Sequence, residues 1–177
     1  AGLFNGLIIS EFNAPPLIVT LGSNYAFMGI AVVITQGKSI VGLPAAFNSI
    51  GQGFTLGVIP NQFVILALVA AVIWFFTSKT PYGMKLFMTG SNVVAAEFSG
   101  INIKRLLRTT YTISGVLAAI SGCILFGRSN QANADYGTTY TLQAIMIAVL
   151  GGTSPDGGEG NVLGVIFAMF TMQFLAT

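Results

Sequence analysis

Two uncharged apolar runs, residues 39–78 and 109–127, flank a segment that holds Lys79, Lys85, Lys104, Arg105 and Arg108. Apolar runs of this kind have one stable home, a membrane helix, because hydrocarbon roughly 30 Å thick leaves backbone groups no partner but one another. The whole chain carries only 7 basic residues, so their concentration between the two runs is informative. Basic side chains are held on the inner face during insertion. Residues 79–108 are therefore read as a cytoplasmic loop, in which only Glu97 opposes the positive charge.

Composition enters as a test of that reading. At 54% hydrophobic, 7% charged and a mean hydropathy of +0.81, the chain has too little charge for a soluble domain of 177 residues. The net charge of +2 is explained by the inside-positive bias, and no nucleic acid partner is implied. Cys123 stands alone, which excludes a disulfide framework and a cysteine metal cluster. Histidine is absent, removing the commonest general base and metal ligand. No catalytic, cofactor-binding or metal-binding residue is assigned.

In chain order, residues 1–10 are apolar but too few to cross a bilayer, and read as the end of a span whose beginning is missing. The chain is thus expected to be a piece of a longer polypeptide. Pro15 and Pro16 break the helix, and 17–36 forms a span with Gly22 and Ala26 as a small-xxx-small pair. The breaker-rich stretch 39–61 is no regular membrane helix, though Pro44 suits the start of a short one at the outer surface. Residues 62–78 form the next span, with Trp74 as an inner interfacial anchor. Beyond the basic loop lies a span over 109–127, with Gly115, Ala118, Ala119 and Gly122 as its small face. Residues 128–137 are a polar outer loop, 138–150 a short apolar run, 151–160 a glycine-rich turn, and 161–177 a last span with Gly160, Gly164 and Ala168 in register. If each apolar run crosses once, the turn lies inside; a re-entrant path for 138–160 stays open. The whole is one membrane domain, all-α, a polytopic helical bundle.

Within the loop, Asn92-Val-Val-Ala-Ala-Glu-Phe-Ser-Gly100 predicts a short helix with Asn92 as N-cap and Gly100 as its left-handed stop. Val94, Phe98 and Ile101 share one face, and Ala95 and Ala96 allow close approach. An apolar face outside the bilayer needs a cover. A soluble partner and the chain's own spans or the lipid headgroups remain alternatives at this point. The turn Gly152-Thr-Ser-Pro-Asp-Gly-Gly-Glu159 is no phosphate loop, since Gly158 stands where a lysine is required and Asp156 and Glu159 repel phosphate. Nor is its acidic spacing that of a calcium loop. It reads as a tight turn that lets helices pack closely. No Asp, Glu, Lys, Arg or His lies within the spans, so ion coupling has no visible group and energy for uphill transport would come from another chain. Thr20, Asn24, Tyr25, Gln36, Gln143, Thr171 and Gln173 suit either a hydroxylated solute or interhelical hydrogen bonds, and no solute site is assigned.

Three blocks resemble the permease subunit of bacterial ATP-binding-cassette importers for ribose, xylose and related simple sugars. They are Pro16-Leu-Ile-Val-Thr-Leu-Gly22, the stretch from Gly90 to Ile101, and the stretch from Ala144 to Gly160. Order and spacing are kept across nearly the whole chain, and the middle block alone is also similar to branched-chain amino acid permeases. The resemblance implies a fold similar to the large-permease importers. It makes residues 90–101 (Gly90, Asn92, Val94, Ala95, Ala96, Phe98, Gly100 and Ile101) the coupling segment that sits in a cleft of the ATPase subunit. It further implies a second permease subunit, identical or not, an extracytoplasmic sugar-binding protein, membrane lipid around the spans, and a location in the bacterial cytoplasmic membrane. ATP hydrolysis would belong to the partner, so this chain is expected not to be an enzyme. Ser91, Glu97 and Phe98 depart from the usual pattern and mark a divergent member. A branched-chain amino acid or nucleoside importer of the same architecture, or a passive channel or membrane scaffold, are the alternative readings.

Overall fold

The computed structural model describes residues 1–42, 51–55, 59–155 and 157–175. As expected for an all-α membrane protein, these residues are mostly helical, with strands only two residues long. Three helices, Pro16–Thr35, Asn61–Lys79 and Ile103–Ser129, are long and apolar enough to cross a membrane. Few of their residues are buried within the chain: none in the first two, and only Leu106 and Gly127 in the third. The buried apolar residues among those described are Ile9, Ala96, Leu106 and Ala168, far too few for a core that would hold a water-soluble domain together. The apolar surface is suited to lipid and to other helices.

The chain forms two compact units. The first comprises Ala1–Leu66 and Lys104–Tyr136. Helix α1, Gly2–Phe12, ends at Asn13 in the left-handed conformation, φ 48°, and Pro16 at the first helical position begins α2, Pro16–Thr35. Asparagine tolerates that conformation and proline is pre-set for a helix start. The proline-marked break expected there is thus a tight joint between two helices. Helix α6, Ile103–Ser129, receives α1 through glycines: a Cβ on Gly6 would lie 3.0 Å from Arg108 Cα, and one on Gly115 would lie 2.8 Å from Gly2 Cα. Gly2, Gly6 and Ser10 recur every fourth residue, which puts one narrow face of α1 on α6. The small residues Gly22 and Gly122, by contrast, face open space.

Polar contacts close the end of the α1–α6 pair. Arg108 Nε donates to Ser10 Oγ at 2.9 Å, Lys104 Nζ donates to Glu11 Oε2 at 3.0 Å, and Arg108 also pairs with Glu11. Glu97 is therefore not the basic segment's only counter-charge, because Glu11 is brought to it from far away in sequence. Near the other end of α6, strand β1, Ile40–Val41, pairs antiparallel with β4, Gln131–Ala132, setting Ile40 opposite Ala132. Asn133 Nδ2 adds a hydrogen bond to Ser39 Oγ at 3.1 Å. Strands β2, Phe54–Thr55, and β3, Ile59–Pro60, form a hairpin that leads into α3, Asn61–Lys79. The short helix expected from Pro44 lies outside the described residues.

The second unit comprises Ala67–Ile103 and Gly137–Thr177. After α3 come α4, Pro81–Ser91, and α5, Val93–Phe98. The stretch read as a loop over 79–108 is thus largely helical, and α6 starts at Ile103 and not near Thr109. The physical reason is that charge marks where the apolar environment stops, whereas a helix stops only where its backbone is broken. Pro81 restarts the helix after Thr80, and Lys104, Arg105 and Arg108 simply occupy the opening turns of α6. Helices α7, Tyr136–Leu150, and α8, Val162–Leu175, cross closely where the first ends and the second begins. A Cβ on Gly151 would lie 2.5 Å from Val165 Cα. That contact agrees with the reading of the glycine-rich segment as a turn that permits close helix packing.

Candidate functional site

The short helix α5 is built by its own ends. Asn92 Oδ1 accepts from Ala95 N at 3.0 Å, satisfying one of the amides a helix start leaves bare. At the other end Gly100 N donates to Glu97 O at 2.9 Å and Ile101 N to Ala96 O at 3.1 Å, with Gly100 at φ 79°. This paired closure requires a left-handed residue, which glycine adopts without a Cβ clash. Both caps read from the sequence are present, and together they hold a helix far too short to persist by propensity alone.

Exposure divides α5 into two faces. Ala96 is 1% exposed and docks the helix on its own chain, whereas Val94 is 62% and Phe98 90% exposed. Ala95 and Glu97 are exposed as well, and Ile101 is half-buried. Val94 and Phe98, one turn apart, present contiguous apolar surface that no described part of the chain covers. At the end of α3, Lys79 Nζ stands 5.8 Å from the Trp74 ring centroid.

The base of α5 rests on a contact that sequence reasoning missed. A Cβ on Gly90 would strike Gly158 N, and one on Gly158 would lie 2.6 Å from Ser91 Oγ. The glycine-rich turn therefore meets the end of α4 backbone to backbone. The signal was the run of glycines itself, but nothing local says which distant glycine they face. Two of the polar residues in the apolar helices bond within their own helix: Thr20 Oγ1 donates to Pro16 O and Thr171 Oγ1 to Phe167 O, each at 2.9 Å.

Comparison with known proteins gives consistent matches. The family described as branched-chain amino acid transport system / permease component matches residues 1–177. The ribose import permease protein of Bacillus subtilis is 36% identical over 173 residues, 97% of this chain and 53% of that protein. The galactose/methyl galactoside import permease protein of Escherichia coli is 37% identical over 171 residues, 93% of this chain and 51% of its own length. The D-allose transport system permease protein of Escherichia coli is 32% identical over 165 residues, 93% of this chain and 50% of its own. The chain spans about half the length of the curated relatives it matches. No solved structure matches it.

Proposed function

The chain belongs to the branched-chain amino acid transport system permease family, and from that premise we propose that it is part of the membrane-spanning subunit of an ATP-driven importer. The solute is a simple sugar or a related neutral molecule, a choice supported by relatives named for ribose, galactose and allose over the amino acid of the family's description. The subunit resides in the bacterial cytoplasmic membrane and works with a second permease subunit, two ATPase subunits and an extracytoplasmic binding protein. It hydrolyses nothing itself.

The observation that carries the coupling role is the doubly capped helix α5 with Phe98 90% exposed. A cleft on the ATPase receives Val94 and Phe98, with Ala95 allowing close approach, while Gly90, Asn92, Ala96, Gly100 and Ile101 hold the helix in place. Closure of the ATPases on ATP displaces α5, and the flanking helices swing between outward- and inward-open arrangements. By reciprocity, a loaded binding protein outside shifts the ATPase equilibrium inside. The orientation follows the charges: Lys79, Lys85 and Lys104 inside, the β1–β4 pairing outside. The Gly90–Gly158 contact supports an inner position for the glycine-rich turn.

The test is sided labelling of the full-length permease in oriented membrane vesicles. With Cys123 replaced by Ser, a Phe98→Cys thiol should react with an impermeant maleimide only from the cytoplasmic side and be protected once the ATPase subunits assemble. An Asn133→Cys thiol should react only from outside. Reaction of Phe98→Cys from outside, or equal reaction with and without the ATPase, would sink the proposal.

A further inference from the structure

Resting on the reading of α5 as the ATPase contact, we infer that Gly90, Gly157 and Gly158 are positioning residues that make the α4–α5 hairpin and the turn entering α8 move as one body. The closest approaches between them are backbone to backbone, with Ser91 Oγ beside Gly158. A Cβ on Gly157 would come 3.0 Å from Gly90 O and 3.3 Å from Gly90 Cα, and one on Gly158 would come 3.0 Å from Ser91 Cα. Side chains absorb a displacement by changing rotamer, but two backbones in contact have no such freedom. Gly157 and Gly158 sit at φ 94° and 80°, so the turn reaches this position through conformations that other residues adopt at a cost.

The path on either side is equally short of slack. Asn92 N donates to Met88 O at 3.0 Å, which ties the start of α5 to the end of α4. Within the turn, Gly157 N donates to Ser154 O at 3.1 Å and Ser154 N to Glu159 O at 3.2 Å. Asn161 Oδ1 then caps α8, accepting from Leu163 N at 3.0 Å and Gly164 N at 3.3 Å. A push on Phe98 therefore reaches α8 through hydrogen-bonded backbone and one glycine contact. The steric path is enough for this. α8 is thus driven directly by the ATPase, although it is remote in sequence from the helix the ATPase touches.

The experiment uses the full-length permease assembled with its ATPase subunits in nanodiscs, with Cys123 replaced by Ser. The readout is the change in amide hydrogen exchange over residues 161–170 when the magnesium complex of a non-hydrolysable ATP analogue is added. Gly90→Ala should reduce that nucleotide-driven change about fivefold or more while the ATPase subunits still co-purify. Bridging Phe87→Cys to Gly160→Cys with a short thiol reagent should leave the change intact when Gly90 is present and restore it in Gly90→Ala; a Cβ at Gly160 would lie 3.7 Å from the Phe87 ring. Rescue by a bridge is not expected of a merely structural glycine. The inference is overturned if Gly90→Ala responds normally, if residues 161–170 show no response in the unmodified complex, or if the bridge abolishes the response with Gly90 present. Should Gly90→Ala fail to assemble, the bridged Gly90 complex decides the matter alone. Failure of the coupling reading is registered separately, by ATPase subunits that co-purify undiminished with Phe98→Asp.

Discussion

Replacing Phe98 with Ala separates the proposed docking role of α5 from its folding. The side chain is 90% exposed in the chain, so almost all its apolar area remains available to a partner. Burying a phenylalanine side chain contributes about 1.5–3 kcal/mol. At about 1.4 kcal/mol per factor of ten, its loss should weaken ATPase association by about tenfold to a hundredfold. Most of that loss should fall on the dissociation rate, since truncation alters the contact and not the encounter. The fold should not notice, because an exposed side chain with no described cover contributes within about 0.5 kcal/mol. The assay titrates the full-length permease in nanodiscs with fluorescent ATPase subunit and records thermal unfolding of the same sample. Weakening of less than about twofold, or weakening that tracks a fall in melting temperature, would refute the reasoning. Ala96→Arg would not serve the same purpose. Ala96 is 1% exposed, so the arginine would disturb the chain's own packing before it met any partner.

Asn92→Ala removes the side-chain cap on Ala95 N and should cost about 1 kcal/mol of local helix stability, seen as faster amide exchange over 93–98 with little change elsewhere. Gly6→Leu should push α1 off α6, where a Cβ already lies 3.0 Å from Arg108 Cα; a loss of about 1–3 kcal/mol is expected in thermal unfolding of the full-length protein. Glu11→Gln breaks the pairing to Lys104 and Arg108, and since these groups are partly exposed the loss should be about 1 kcal/mol or less and shrink as salt is raised. Gly164→Val would drive a side chain into Gly151 O and should lower the melting temperature more than Gly22→Val, where open space awaits.

Much of the local architecture was legible because its causes are local. Asn92 and Gly100 bound α5 for reasons that reside within a few residues of each, and Pro16 and Pro81 begin helices by their own ring geometry. The basic cluster marks where the apolar runs stop, yet it does not mark where helix stops, since most of 79–108 is helical and Lys104, Arg105 and Arg108 belong to α6. The spacing of Gly2, Gly6 and Ser10 had the same small-residue signature recognised at Gly22 and Ala26, yet only the former meets a helix here. A small-residue face states that close approach is possible and leaves its partner unspecified.

What the amino-acid order determined alone is the set of elements and the solvent each prefers: apolar helices, polar connections, and a capped helix with an uncovered face. Those properties follow from transfer energies and backbone sterics that act within a turn or two. Tertiary structure decided the pairings, Glu11 with Lys104 and Arg108, Ile40 with Ala132, and Gly90 with Gly158. Such contacts depend on which surfaces arrive at the same place, and for residues without side chains no chemical label announces the match.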